Sequence, residues 1–292
     1  MPGRLTRATE RSKALAETAV ARAEHARGRH ASVDVGFRVA ERDKRVAAMV
    51  LAGGIAYRLF FWLLAMSIVF GGSLGLVDPA DVESTLDEHG LGAWVADAVA
   101  RWASSSSGNE WWLLLVGVWL VLWTGYTSTK ALVLAHAAVW QLPPPKVARP
   151  LRASLMFTGF TVGAIAAVAA TRWLREEHPS TGLVATLLVI AVPFAFWLAA
   201  SHSLPNQASG WLELVPGAAV MAVGLQAMHL FTAYFLGPKL TSATELYGVI
   251  GITTTILFWF YLTGRLIISA ATLNASFAER SASHPHAPET PA

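Results

Sequence analysis

Apolar positions along this chain fall in long unbroken runs, with little alternation and few charges inside them. The charge-free runs are Leu59 to Val77, Trp111 to Thr129, Ala153 to Thr171, Thr181 to Ser203, Leu214 to Gly237 and Leu246 to Gly264. A helix needs roughly 20 such residues to cross a hydrocarbon core, and each run reaches that length. A closed barrel would instead show segments of about ten residues with alternating polarity. Helices satisfy their own backbone polar groups in lipid, so continuous runs imply helical spans. The pattern predicts an all-α polytopic membrane bundle with six transmembrane helices.

Basic residues orient the bundle. Eleven Lys and Arg precede the apolar stretch that begins at Ala47, the last four being Arg38, Arg42, Lys44 and Arg45. Such an excess stays on the cytoplasmic side. Threading alternately from there puts 78–110 outside, where Asp78, Asp81, Glu83, Asp87, Glu88, Asp97 and Glu110 face Arg101 alone. Lys146, Arg149 and Arg152 then fall inside, and an even number of spans leaves both termini cytoplasmic.

Three zones follow. Residues 1–46 form a basic cytoplasmic lead, partly disordered, with no apolar stripe in 1–32. Residues 47–278 are the membrane domain. Residues 279–292 read as a disordered cytoplasmic tail rich in Ser, His and Pro. Within the outer loop, Leu91, Trp94, Val95, Ala98, Val99 and Trp102 share one helical face, which predicts a short helix lying on the membrane surface. No cleavable signal opens the chain, so the first span is expected to serve as its own insertion signal.

Composition sharpens this picture by exclusion. Of 292 residues 54% are hydrophobic and 14% charged, well below the soluble average of about 25% charged. The absence of cysteine removes thiol catalysis, disulfides, iron-sulfur ligation and cysteine-held zinc. No zinc, phosphate-loop or metalloprotease motif occurs, and neither a cofactor nor a metal is expected. The basic lead lacks interleaved aromatics, which argues against nucleic acid.

Interruptions in the helices are mostly structural. Pro143, Pro144 and Pro145 end the second helix, Pro193 kinks the fourth, and Pro216 falls in the tolerated first turn of the fifth. Gly71, Gly72, Ser73, Leu74 and Gly75 fit a nucleophile elbow on paper, but their place on an apolar helix favours close helix packing. Helix-helix hydrogen bonds account for His136 and His229. Thr253, Thr254 and Thr255 make a polar notch expected mostly to hydrogen-bond between helices, although threonine hydroxyls can also return to carbonyls one turn back.

One arrangement points to binding. Arg58, Lys130 and Arg265 each flank a charge-free run of 19 residues, about 28 Å of helix, at its cytoplasmic end. Beyond them the helices stay apolar over Ala47 to Tyr57, Ala131 to Trp140 and Leu266 to Ala278, longer than one bilayer requires. One account is snorkelling, in which the long basic side chains reach the interface and the extensions pack against one another. The sharper expectation is an anion site formed by Arg58, Lys130 and Arg265, with Tyr57, Tyr126 and Asn274 orienting a head group and the apolar extensions surrounding acyl chains.

The last two helices carry a family likeness. Trp211 through Pro216 and Gly217, Tyr234, Tyr247-Gly248-Val249-Ile250-Gly251, Phe258-Trp259-Phe260-Tyr261 and Leu273-Asn274-Ala275 resemble the YihY/BrkB family of six-helix bacterial inner-membrane proteins, as does Ala56-Tyr57 after a basic lead containing Asp43. The likeness spans Asp43 to Ala278. Departures are local: Arg58, Trp62 and Ala65 replace a tyrosine-serine-proline pattern, and Ala270-Ala271-Thr272-Leu273-Asn274 lacks the family's intramembrane carboxylate. The resemblance implies inner-membrane localisation and architecture; members have been labelled transporters, virulence-associated proteins and ribonuclease BN. No acidic or histidine cluster supports the nuclease label.

Together these residues predict a non-enzymatic inner-membrane transporter or lipid-handling protein, with membrane lipids, anionic ones included, as partners. The alternative is a scaffold for cell-envelope machinery, docking envelope proteins and moving no substrate. A transporter should hold a continuous lined cavity and a scaffold should be closely packed. Oligomeric state is open, since Gly159 and Gly163 suit packing within or between chains.

Overall fold

The computed structural model describes residues 31–74, 110–147, 149–177, 182–231 and 237–283. Within them every regular element is helical and no strand occurs: α1 (Ala31–Arg45), α2 (Ala48–Leu74), α3 (Glu110–Val139), α4 (Pro150–Glu177), α5 (Gly182–Ser203), a single 3₁₀ turn (Trp211–Leu214), α6 (Val215–Phe231) and α7 (Gly237–Ser283). Among the described residues four stretches are long and apolar enough to cross a membrane, Ala48–Phe70, Trp111–Val139, Trp211–Phe231 and Thr253–Arg280, with Leu187–Ser203 a shorter apolar helix. The outer-loop helix expected around Leu91 to Trp102 lies outside the described residues.

Helix ends follow local chemistry. α1 carries Asp34 in its first turn and Arg42, Lys44 and Arg45 in its last, the arrangement a helix dipole favours. Asp34 also pairs with Arg38 one turn on at 2.9 Å. The chain passes from α1 into α2 through Ala47, held at φ 49° in the left-handed region. That conformation costs a non-glycine residue about 1 kcal/mol, so the surrounding contacts must hold it. At the end of α3, Gln141 takes φ 56°. The Leu142 N–H then donates to the Ala137 carbonyl at 2.8 Å and the Gln141 N–H to the Ala138 carbonyl at 3.2 Å, closing the helix before the prolines begin. The carboxylate of Glu213 accepts from the Ser209 N–H at 2.8 Å and hydroxyl at 2.7 Å, fixing the turn into α6.

The helices pack in chain order, each of α2 to α6 against the next, and α7 lies against α6 and closes back on α2. α1 docks chiefly on α7. Buried residues gather where α1 docks: Ala48, Ile55, Ala135, Val139, Trp140, Leu214, Ala218, Ile267, Ile268, Ala271 and Ala275 form one cluster. The apolar extensions beyond Arg58, Lys130 and Arg265 contribute side chains to this one cluster. Packing this tight reflects small residues at the crossings. A Cβ on Gly264 would stand 2.6 Å from the Ala52 carbonyl oxygen, and one on Gly217 would stand 2.5 Å from that of Ala270.

Residues 31–45 of the lead form a regular helix, because Val35 is buried and Arg42 is enclosed. The tail expected to be disordered from residue 279 is helical through Ser283, since Glu279 is held by an ion pair with Arg42.

Candidate functional site

The sequence-selected residues separate into two groups. Arg58 on α2 and Lys130 on α3 are exposed and have no polar partner for their side chains among the described residues. They sit at one level, because the Ser128 hydroxyl donates to the Arg58 carbonyl at 3.4 Å. Tyr57, 54% exposed beside Arg58, rests its ring 4.6 Å from that of Phe61. Tyr126 is half-buried on α3. Around these cations the exposed faces are apolar, with Phe61 and Leu64 on α2 and Trp119, Trp123 and Leu134 on α3.

Arg265 and Asn274, both on α7, have other engagements. Gly264 meets α2 at Ala52, so Arg265 stands about six residues, or roughly 9 Å, along α2 from the level of Arg58. Its guanidinium donates to the Asp43 carboxylate of α1 at 2.9 Å, with about a quarter of each side chain exposed. Asn274 is buried, and its Oδ1 accepts from the Gly217 N–H at 2.6 Å. Gly217 lies in the first turn of α6, where backbone N–H groups lack intrahelical partners. Asn274 thus caps a neighbouring helix in the packed core.

The structure adds a residue that sequence reasoning passed over. Arg42 is 5% exposed; it donates to the Val139 carbonyl at 3.1 Å and pairs with Glu279. A buried guanidinium needs such partners to offset lost hydration. Nothing in the local pattern separates Arg42 from the other cations of the lead; only its place on the same face as Val35, one helical repeat earlier, marks it. One charged side chain therefore ties α1, the end of α3 and the end of α7 together.

The other polar candidates make mostly local contacts. His136 is buried, its Nδ1 3.1 Å from the Leu132 carbonyl of its own helix, and His229 is exposed, so neither bonds between helices in the way the sequence reading held. The His136 ring lies 6.0 Å from Trp197 on α5. Thr254 and Thr255 donate to the Ile250 and Gly251 carbonyls, both at 2.8 Å, one turn back. Ser73 donates to the Phe70 carbonyl at 2.6 Å within α2, a helical setting unlike a nucleophile elbow. Where α3 and α5 end, an open groove of about 610 Å³ is lined by Pro143, Pro145, Lys146, His202, Pro205 and Asn206 among others. Among the described residues no three His, Asp or Glu side chains gather as metal ligands.

With this geometry in hand, the likeness to known proteins is informative. A UPF0761 membrane protein of Stenotrophomonas maltophilia strain K279a is 24% identical over 281 residues, covering 87% of this chain and 63% of the relative. A UPF0761 membrane protein of strain R551-3 matches with the same identity and coverage. The chain therefore spans just under two thirds of the length of these relatives. No solved structure matches. The family model described as virulence factor BrkB matches residues 39–292, from within α1 through α7, and the chain belongs to that family of membrane proteins.

Proposed function

We propose that this protein is a six-span inner-membrane protein with both termini cytoplasmic, and that it handles an anionic amphiphile at its lipid-facing surface near the cytoplasmic leaflet. The single observation carrying the reading is the pair of exposed cations, Arg58 and Lys130, at one level on adjoining apolar helices and without a polar partner among the described residues. A charge set among lipid-facing apolar side chains is costly unless it meets water or an anion. A phosphate head group supplies that anion, with Tyr57 and Tyr126 as hydrogen-bonding neighbours and Arg265 as a third cation on α7. Support for the orientation comes from the basic segment of Lys146, Arg149 and Arg152, which joins α3 and α4 at the end where α1 docks. The role needs no cofactor and no chemical step.

The packing of the extensions at the end where α1 docks favours a passage along the outer faces of α2 and α3. It also gives weight to a second reading, a scaffold for envelope machinery in which nothing is moved. Transbilayer movement of labelled phosphatidylglycerol in proteoliposomes separates them. Movement above empty vesicles that is lost in the Arg58→Ala/Lys130→Ala variant is the expected result. Folded wild-type protein that moves no lipid would leave the scaffold.

A further inference from the structure

The contact between Asp43 and Arg265 has the features of an occupied ligand site. Arg265 is the sequence-selected cation that already holds a carboxylate, at 2.9 Å, and that carboxylate comes from a different helix 222 positions earlier in the chain. About a quarter of each side chain remains exposed, so water and membrane anions can reach the pair. An ion pair left partly open to solvent in this way is screened, so its anion can exchange. The neighbouring contact is different in kind: Arg42 is enclosed and bound to both Glu279 and the Val139 carbonyl. α1 is therefore anchored by one residue while the next presents a carboxylate to Arg265.

We propose that Asp43 is a resident competitor, an internal anion that occupies Arg265 until a phosphodiester head group displaces it. This rests on the amphiphile-handling reading and supplies its regulation. Arg42 keeps α1 in place, so the exchange needs only a side-chain movement of Asp43 and no undocking of the helix. A phosphodiester offers two oxygens to the guanidinium, as the carboxylate does, which makes the two anions alternatives for the same donors.

The test measures phosphatidylglycerol retained by the full chain against phosphatidylcholine in mixed nanodiscs, by native mass spectrometry. Asp43→Asn is expected to raise retention about two- to fivefold, the range a weak pair can withhold. Glu41→Gln, the same charge change on the same helix, should leave retention near wild type. Asp43→Asn/Arg265→Gln should lose the gain. Adding inorganic phosphate distinguishes a lipid head group, which it displaces weakly, from a free-phosphate site, which it would fill and which would overturn the proposal. A gain that survives in the double variant would also overturn it, as would a gain matched by Glu41→Gln. If Asp43→Asn equals wild type while Arg58→Ala/Lys130→Ala loses lipid, the competitor idea fails and the amphiphile reading stands. If no variant changes retention, both fail. Hydrogen exchange across α1 checks that Asp43→Asn keeps the helix docked; undocking of α1 in that variant would overturn an exchange confined to side chains.

Discussion

At the end of the bundle where α1 docks, helices meet backbone to backbone: Ala52 against Gly264, Ala270 against Gly217. Along residues 57–70 of α2 and 111–123 of α3, by contrast, most turns carry an exposed apolar residue, among them Phe61, Leu64, Phe70, Trp112 and Trp119. In water such faces would be an aggregation liability. For a membrane protein they are the surface that lipid covers, and lipid gives no hydrophobic drive toward helix association. The packed end needs small residues, a buried polar cap and ion pairs to hold its shape, and the faces along α2 and α3 need only be apolar. Arg58 and Lys130 mark the passage from one regime to the other.

The contrast is broken most sharply by Gly264→Val. The added side chain meets the Ala52 backbone, which cannot rotate away, and a loss of about 3 kcal/mol is expected. Thermal unfolding in detergent measures it, and a wild-type melting curve would show that the two helices do not meet so closely. A smaller effect comes from Asn274→Leu, which strands the Gly217 N–H in the core at a cost of about 1–2 kcal/mol. Faster hydrogen exchange at that amide, ahead of the rest of α6, is the signature. Smallest is Trp119→Leu on the exposed face of α3, where a shift within about 0.5 kcal/mol is expected. A large loss there would mean that this face packs against protein.

What could be read without coordinates was whatever depends on neighbours in sequence. The three prolines after Leu142 announced the end of α3, because their effect acts within one or two turns. The family likeness, carried by α6 and α7, was likewise written in short motifs. The contacts that define the packed end were hidden for the opposite reason. Arg42 reaches Glu279 across 237 positions, and Asp43 reaches Arg265 across 222. Periodicity showed that Arg58, Lys130 and Arg265 lie at comparable distances along their runs. It could not show that a close crossing at Gly264 offsets α7 against α2, nor that Asn274 faces a helix end and not a ligand.

α7 runs without interruption for 47 residues, about 70 Å, and crosses α2 closely at Gly264, nearer to one end. Mechanically this is a lever with unequal arms. A rocking of about 5° around that crossing carries the Gly237 end roughly 3.5 Å and the Ser283 end roughly 2.5 Å, from arms of about 40 and 28 Å. A displacement of the long arm would arrive, reduced in travel, near the turn of α7 that carries Glu279, the residue Arg42 holds.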